Sequence, residues 1–232
     1  MNIDELYNEF NLFYNNISSN QAPGLDKYEI SVYLTKAQDM LVDALYGEFE
    51  KSEEARRKLA NLVVTKKLTI ASIATDNIIY PEYATVYSKP DDVRYIVNEQ
   101  LRMKTNDNVQ PCIKGKVFDV QPILHDEIDS IVENPFRFNS HRALRLDVSN
   151  GTKEAMEILV KEEYKPYIDY YQIRYVKNPN PIMIYRTTDP ESDMTINGLS
   201  TTADGRESSL IPELHRRLIE LAAKLAYQDY KV

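Results

Sequence analysis

The segment LDKYEISVYLTKAQDMLVDALYG, residues 25–47, carries the clearest structural signal in the chain. Its apolar residues recur at steps of three and four, and this period predicts an amphipathic helix. Asp26 and Glu29 stand three residues apart at its start, in the positions of a capping box. Similar spacing predicts helices from Ile3 to Ile17 and from Ser52 to Val63. The N-terminal part of the chain is therefore predicted to be helical.

The pattern changes near Ile70, where short alternating runs bounded by Pro, Asn and Asp begin to predict β-strands. A short helix, Asp126–Glu133, interrupts these runs, and a last helix begins near Pro212. Helices and strands segregated along a chain favour an α+β fold. We expect a small antiparallel sheet or sandwich, and a C-terminal helix that closes an N-terminal helical hairpin or bundle. The predicted strands are Thr85–Ser88, Val93–Arg102, Lys116–Ile123, Arg142–Val148, Ala155–Val160 and Tyr170–Lys177.

These elements divide the chain into four predicted parts. Residues 1–69 form an N-terminal helical part, and residues 70–186 form a strand-rich domain. Ser, Thr, Asp and Gly dominate residues 187–209, a composition typical of a flexible loop or arm. Residues 210–232 form a C-terminal helix that packs on the N-terminal helices.

Composition argues against several functional classes. The chain has 232 residues, six isolated glycines and a net charge of −8. Phosphate-binding loops need closely spaced glycines, so the nucleotide-loop signatures are absent. An acidic chain binds nucleic acid and anionic membranes poorly, and no apolar run approaches the ~20 residues of a membrane helix. The single cysteine, Cys112, cannot close an intrachain disulfide, which predicts a reducing compartment.

Candidate catalytic and metal-binding residues are few. With three histidines and one cysteine, the chain lacks the spaced ligands of a metal site, and we predict no metal, cofactor or catalytic residue. His125 and Asp126 form the best acid–base pair. They support the alternative interpretation, a soluble hydrolase or nucleotide-handling enzyme, although Asp126 also fits a helix cap.

Basic and tyrosine clusters favour an interaction protein. The chain has 17 tyrosines and no tryptophan, and tyrosines bunch at residues 80–87 and 164–175. Tyrosine suits partly wet interfaces, although tyrosines that tile a sheet against helices are an equally good explanation. A basic cluster could face DNA phosphates or acidic groups of a neighbouring subunit, with solvated surface charge as the alternative. It comprises Arg137, His141, Arg142 and Arg145.

Six segments occur along the chain in a characteristic order: LDKYEISVYLTKAQDMLVDALY (25–46), RKLANLV (57–63), KPDDVRYIVNEQ (89–100), PILHDEIDSIVENPFRFNSHRALRLDVS (122–149), YQIRYVKNPNPIMI (171–184) and LHRRLIELAAKLA (214–226). Taken together, they resemble the head-to-tail connector, or ring, structural proteins of crAss-like tailed bacteriophages. None is a catalytic motif, so the resemblance rests on their combined order. This chain departs from the family pattern before the last helix, where Ser208 and Ser209 stand between Glu207 and Leu210.

The resemblance implies a structural virion protein and no enzyme. Copies of the chain would form a cyclic ring of twelve in the neck or tail, below the portal protein and next to other tail or ring proteins. Genomic DNA would pass through a lumen lined by acidic or neutral residues, no membrane would be involved, and assembly would take place in the host cytoplasm. The candidate interface residues are Arg137, His141, Arg142, Asp193, Met194, Ile196, Leu199, Leu210, His215, Tyr227 and Tyr230.

Overall fold

The chain divides into two compact units, residues 1–62 together with 178–232, and residues 63–177. Arg137 and His141 of the predicted interface lie outside the described residues. Among the residues that are described, no helix is long and apolar enough to cross a membrane. The computed structural model describes residues 1–18, 23–71, 78, 80–106, 109–134, 142–149 and 153–230.

Helices dominate the first unit. Helix α5 packs against both α1 and α2. The predicted capping box is present at the start of α2, where the Glu29 N–H donates to Asp26 Oδ1 at 2.6 Å and the Asp26 N–H donates to Glu29 Oε2 at 3.0 Å. The helices of this unit are α1 Ile3–Ser18, α2 Lys27–Gly47, α3 Glu53–Leu59 and α5 Pro212–Tyr230.

A stripe of buried polar side chains on α2 holds the extended segment Ile182–Tyr185 in the interior of the first unit. Ser31, Thr35 and Gln38 are spaced by four and three residues, so they share one face of the helix. A buried extended segment needs such partners, because the backbone groups of a helix are already paired with one another. The bonds run from Ile184 N–H to Ser31 Oγ (3.0 Å), from Ile182 N–H to Thr35 Oγ1 (3.1 Å) and from Gln38 Nε2 to the Asn180 carbonyl (2.8 Å).

The second unit is built on one seven-stranded sheet with the spatial order β1-β7-β3-β4-β5-β6-β2. Neighbouring strands are antiparallel except β4 and β5, which are parallel. Their connection carries helix α4, Ile128–Val132, since parallel neighbours need a long crossover. The strands are β1 Val63–Leu68, β2 Ala84–Ser88, β3 Val93–Met103, β4 Val117–Pro122, β5 Arg142–Ser149, β6 Glu154–Leu159 and β7 Ile168–Lys177.

The expected small antiparallel sheet or sandwich is therefore wrong. The fold is mixed α+β, with helices towards both ends of the chain and a large mixed sheet between them. Alternation in a strand shows which side chains share a face, but it does not show which strands pair or how many join one sheet. Strand β1 was also not predicted, because Thr65, Lys66 and Lys67 are exposed and hide its alternation.

The sheet curls, so that the chain leaving β1 at one edge pairs with β2 at the other. The Ala71 N–H donates to the Val86 carbonyl at 2.8 Å, and the Ser88 N–H donates to the Thr69 carbonyl at 3.0 Å. The inner face is filled by apolar side chains from all seven strands, while α4 covers a second cluster around Leu144 and Leu159. The inner residues include Leu68, Tyr87, Leu101, Met103, Phe118, Ala143, Met156, Ile158, Tyr171, Ile173 and Tyr175.

Candidate functional site

A short hairpin lies in the segment that the sequence marked as an arm. Its strands are β8, Thr195–Ile196, and β9, Leu199–Ser200. Asn197 and Gly198 form the turn with φ of 52° and 74°, the positive values that a two-residue type I′ turn requires. Local sequence therefore sets the shape of this feature, called the arm hairpin below (residues 193–200).

Ile196 anchors the arm hairpin in the first unit, because its side chain is buried there. Two hydrogen bonds reinforce this anchor: Tyr185 Oη donates to the Met194 carbonyl at 3.1 Å, and Thr201 Oγ1 donates to the Tyr185 carbonyl at 2.6 Å. The flexibility predicted for residues 187–209 stays a prediction, but the base of the arm hairpin has defined contacts. The side chains around Ile196 are Met183, Tyr185, Tyr28 and Val32.

The arm hairpin exposes both apolar and acidic groups. Met194 is 45% exposed and Leu199 is 38% exposed, and Asp193 is exposed beside them. Exposed apolar residues grouped on a locally fixed element are typical of an interaction surface. The group offers apolar area and one carboxylate to a partner.

The other predicted interface residues of the first unit are divided between interior and surface. Leu210 and His215 are buried, Tyr227 is half-buried, and Tyr230 is exposed at the end of α5. The role of these residues at an interface stays a prediction. Leu210 and His215 already serve a contact inside the unit, where His215 Nε2 lies 3.1 Å from the Leu210 carbonyl.

His215 is held as a neutral ring. A carbonyl only accepts, so the hydrogen between Leu210 and His215 sits on Nε2. His215 Nδ1 then accepts from the amino group of Met1 at 3.2 Å. Burial lowers the pKa of His215 below its usual value of 6.5, and the nearby amino-terminal charge lowers it further, while the bond to Leu210 opposes them.

We expect this histidine to make the first unit less stable in mild acid. Below pH 6.5 the histidine of the unfolded chain takes up a proton, whereas the imidazole of His215 in the folded unit stays neutral. The free energy of unfolding therefore falls as pH decreases from 6.5 towards the lowered pKa, with a limiting slope of about 1.4 kcal/mol per pH unit. Urea unfolding between pH 7.5 and 5 measures the slope. His215→Gln removes this contribution, and His125→Gln is the control that keeps it. An unchanged slope in His215→Gln would contradict the assignment.

Two members of the predicted basic cluster, Arg142 and Arg145, lie on strand β5, and their environments differ. Arg142 is exposed, with Nη1 at 3.4 Å from Gln121 Oε1. Arg145 is 8% exposed, so it faces neither DNA nor a neighbouring subunit. Alternation along β5 could not have indicated this, because Leu144 and Leu146 mark the opposite face of the strand as the apolar one, while the face of Arg145 also carries the exposed Asp147.

Arg145 belongs to a buried charged cluster inside the second unit. Its Nη1 lies 2.5 Å from Glu99 Oε1, and Tyr171 Oη donates to the other Glu99 oxygen. Burial raises the pKa of Glu99, and the hydrogen bond from Tyr171 and the charge of Arg145 oppose that rise. Glu99 and Tyr171 are 72 residues apart, so no local pattern could have paired them. This cluster supports the fold of the sheet.

The His125–Asp126 pair of the enzyme alternative is not assembled as an acid–base dyad. His125 Nε2 contacts the Asp147 carbonyl at 2.9 Å. Asp126 is exposed, and the residue that precedes α4 is Glu127, whose side chain makes no cap bond. In the described part of the chain, no group of three or more His, Cys, Asp or Glu is placed to hold a metal ion.

The chain is similar to known proteins over its whole length. Residues 1–232 match the family described as phage tail ring protein 3/4. The chain is 29% identical over 240 residues to "Ring protein 4/5" of Bacteroides phage crAss001, which covers 100% of this chain and 94% of that protein. It is 33% identical over 211 residues to "Ring protein 3" of the same phage, which covers 87% of this chain and 84% of that protein.

Proposed function

This chain belongs to the phage tail ring protein 3/4 family, and we propose that copies of it close into a ring in the head-to-tail connector of a crAss-like phage. The resemblance seen in the sequence is confirmed, and the role of the chain is structural, in a tail ring of the virion. The proposal adds twelve copies per ring, a portal protein and other ring proteins as neighbours, DNA in the lumen, and assembly in the host cytoplasm.

The observation that carries the proposal is the coverage of the similarity. The family match includes every residue of the chain, and both crAss001 relatives are ring proteins matched over most of their own length. Both compact units are therefore shared with ring proteins, and neither needs a separate function.

The arm hairpin supports a ring because it has the properties that one half of a head-to-tail contact requires. A cyclic assembly needs two different surfaces on each subunit, so that each copy offers one to its neighbour and receives the other. Met194 and Leu199 supply apolar area on an element anchored through Ile196. We assign the arm hairpin to the contact with the next copy.

The charge of the chain supports passage of DNA without tight binding. A net charge of −8 gives phosphates little to bind, since affinity for DNA rises with the number of lysine and arginine contacts. A lumen lined by acidic or neutral residues would let DNA leave the head without being held.

The ring is tested by mass photometry and negative-stain microscopy of purified protein. We expect closed rings. We expect the double substitution Met194→Asp with Leu199→Asp to reduce the ring fraction by about tenfold, because two charges replace apolar area that the contact between copies would bury. Met40→Asp is the matched control, since Met40 is exposed to the same extent, 45%, as Met194. A wild-type chain that stays monomeric at all concentrations would contradict the proposal.

A further inference from the structure

An open cleft of about 500 Å³ lies in the second unit, where the curled sheet comes apart at one end. The volume falls within the roughly 300–1,000 Å³ of typical ligand clefts. One wall is the end of β1 and its continuation, Lys66–Thr69, and the other is the turn between β2 and β3, Ser88–Asp92. Lys153 completes the lining. We call this site the lysine cleft.

The lysine cleft is a positive site on an acidic protein. Four lysines and two aspartates line it, which gives +2, and the ion pair of Lys89 with Glu154, which lies outside the lining, reduces this to +1. The whole chain carries −8. One of the aspartates, Asp92, accepts a hydrogen bond from Tyr175 Oη at 3.0 Å. Lys67 Nζ lies 3.7 Å from the centroid of the Tyr170 ring. A local charge of this sign favours an acidic partner.

The same cleft exposes a strand edge. Strand β1 pairs with β7 on one side only. On the other side, Thr69 and Ala71 direct their backbone groups to β2, and alternate residues of a strand direct these groups the same way. The backbone groups of Lys67 therefore face the cleft, and no strand lies beside them in the described residues. An open edge of this kind accepts an additional strand.

We propose that the lysine cleft receives the arm hairpin of a second copy of this chain, which adds to the edge of β1. The inference rests on the proposed ring. The arm hairpin supplies what the cleft requires: a short strand of two residues, the exposed carboxylate of Asp193 beside it, and the apolar side chains of Met194 and Leu199. Next to the cleft, Ile70 is 71% exposed and offers apolar surface to them. Two different surfaces joined head to tail propagate into a ring.

A charge exchange tests this pairing. We expect Lys66→Glu alone and Asp193→Lys alone each to raise the dissociation constant of the ring about tenfold at low salt, because each places like charges together. The double variant, Lys66→Glu with Asp193→Lys, should return it to within about threefold of wild type. Lys224→Glu, an exposed position on α5, is the control with the same change in charge and should assemble as the wild type does.

The outcomes separate this inference from the proposed ring. If wild type forms rings and both single variants assemble equally well, the inference is wrong and the ring proposal stands. If wild type forms no rings, both are wrong. If Lys66→Glu weakens assembly and the double variant does not restore it, another occupant fills the cleft and the inference is wrong. A DNA oligonucleotide that binds wild type but not Lys66→Glu would assign the cleft to phosphate and would also overturn it.

Discussion

We expect Arg145→Met to lower the free energy of unfolding of the second unit by about 3–5 kcal/mol at pH 7. Arg145 is 8% exposed, and so is its partner Glu99. Methionine fills similar space, but it leaves the Glu99 carboxylate in the interior. The hydroxyl of Tyr171 is then its one side-chain donor within the described part of the chain. An uncompensated buried charge is among the most destabilising changes known for single substitutions.

The pH dependence identifies the cause. Without the arginine, burial holds the pKa of Glu99 further above its usual 4.5. Above this raised pKa the variant shows the full destabilisation. As pH falls through the raised pKa towards 4.5, the destabilisation disappears, because Glu99 takes up a proton in the folded state before it does so in the unfolded chain. Arg145→Met should therefore lose less stability at pH 5 than at pH 7. Arg145→Met combined with Glu99→Gln should recover much of the loss at pH 7.

Arg142→Met is the matched control, since Arg142 lies on the same strand, three residues earlier, and is exposed. It should change stability by no more than about 0.5 kcal/mol. Urea unfolding together with hydrogen exchange of the β5 and β7 amides measures both variants. Equal stability of Arg145→Met and Arg142→Met would show that the Glu99 charge is satisfied without the arginine.

Local signals in the sequence predicted local structure well. The capping box of Asp26 and Glu29 is present, and α2 begins at Lys27, one residue after the cap. Six predicted strands overlap β2 to β7. These features depend on neighbours within a few residues, so the sequence contains the whole reason for them.

What the sequence could not show depends on long-range pairing. The parallel contact of β4 and β5, the curl of the sheet and the Glu99–Tyr171 bond all join residues far apart in the chain. The tyrosines illustrate the same limit: Tyr171 and Tyr175 belong to the core of the sheet, whereas composition suited an interface equally well. At the candidate site, the turn at Asn197 and Gly198 was not predicted, although Asn-Gly favours such a turn. The lysine cleft depends on strand pairing.

Gly205→Ala is expected to lower the free energy of unfolding of the first unit by about 3 kcal/mol. Gly205 has a φ of 75°, and a side chain in this region costs about 1–2 kcal/mol. A Cβ there would also lie 2.6 Å from the Met183 carbonyl oxygen. That oxygen accepts from the Arg206 N–H at 2.9 Å, and the Met183 N–H donates back to the Arg206 carbonyl at 2.9 Å, so the clash weakens two hydrogen bonds worth about 1 kcal/mol each.

Gly198→Ala separates the two causes. Gly198 has nearly the same φ, 74°, but no atom lies within 4 Å of a Cβ at that position, so only the backbone cost of about 1–2 kcal/mol applies. Gly24→Ala, with open space and no positive φ, should be close to neutral. Thermal unfolding and hydrogen exchange of the Met183 and Arg206 amides provide the measurement. If Gly205→Ala and Gly198→Ala were equally destabilised, the contact with Met183 would carry no energy.

The consequence of Gly205→Ala for assembly follows from the position of Gly205, which lies shortly after the arm hairpin in the chain. The chain between the arm hairpin and Gly205 is tied down at both ends: Thr201 Oγ1 donates to the Tyr185 carbonyl, and Arg206 Nε donates to the Ser200 carbonyl at 3.0 Å. A substitution that pushes Arg206 away from Met183 also loosens the base of the arm hairpin, while the turn at its tip is unchanged. Ring formation should therefore fall in Gly205→Ala at temperatures where the first unit is still folded, because a less ordered arm loses more entropy when it docks.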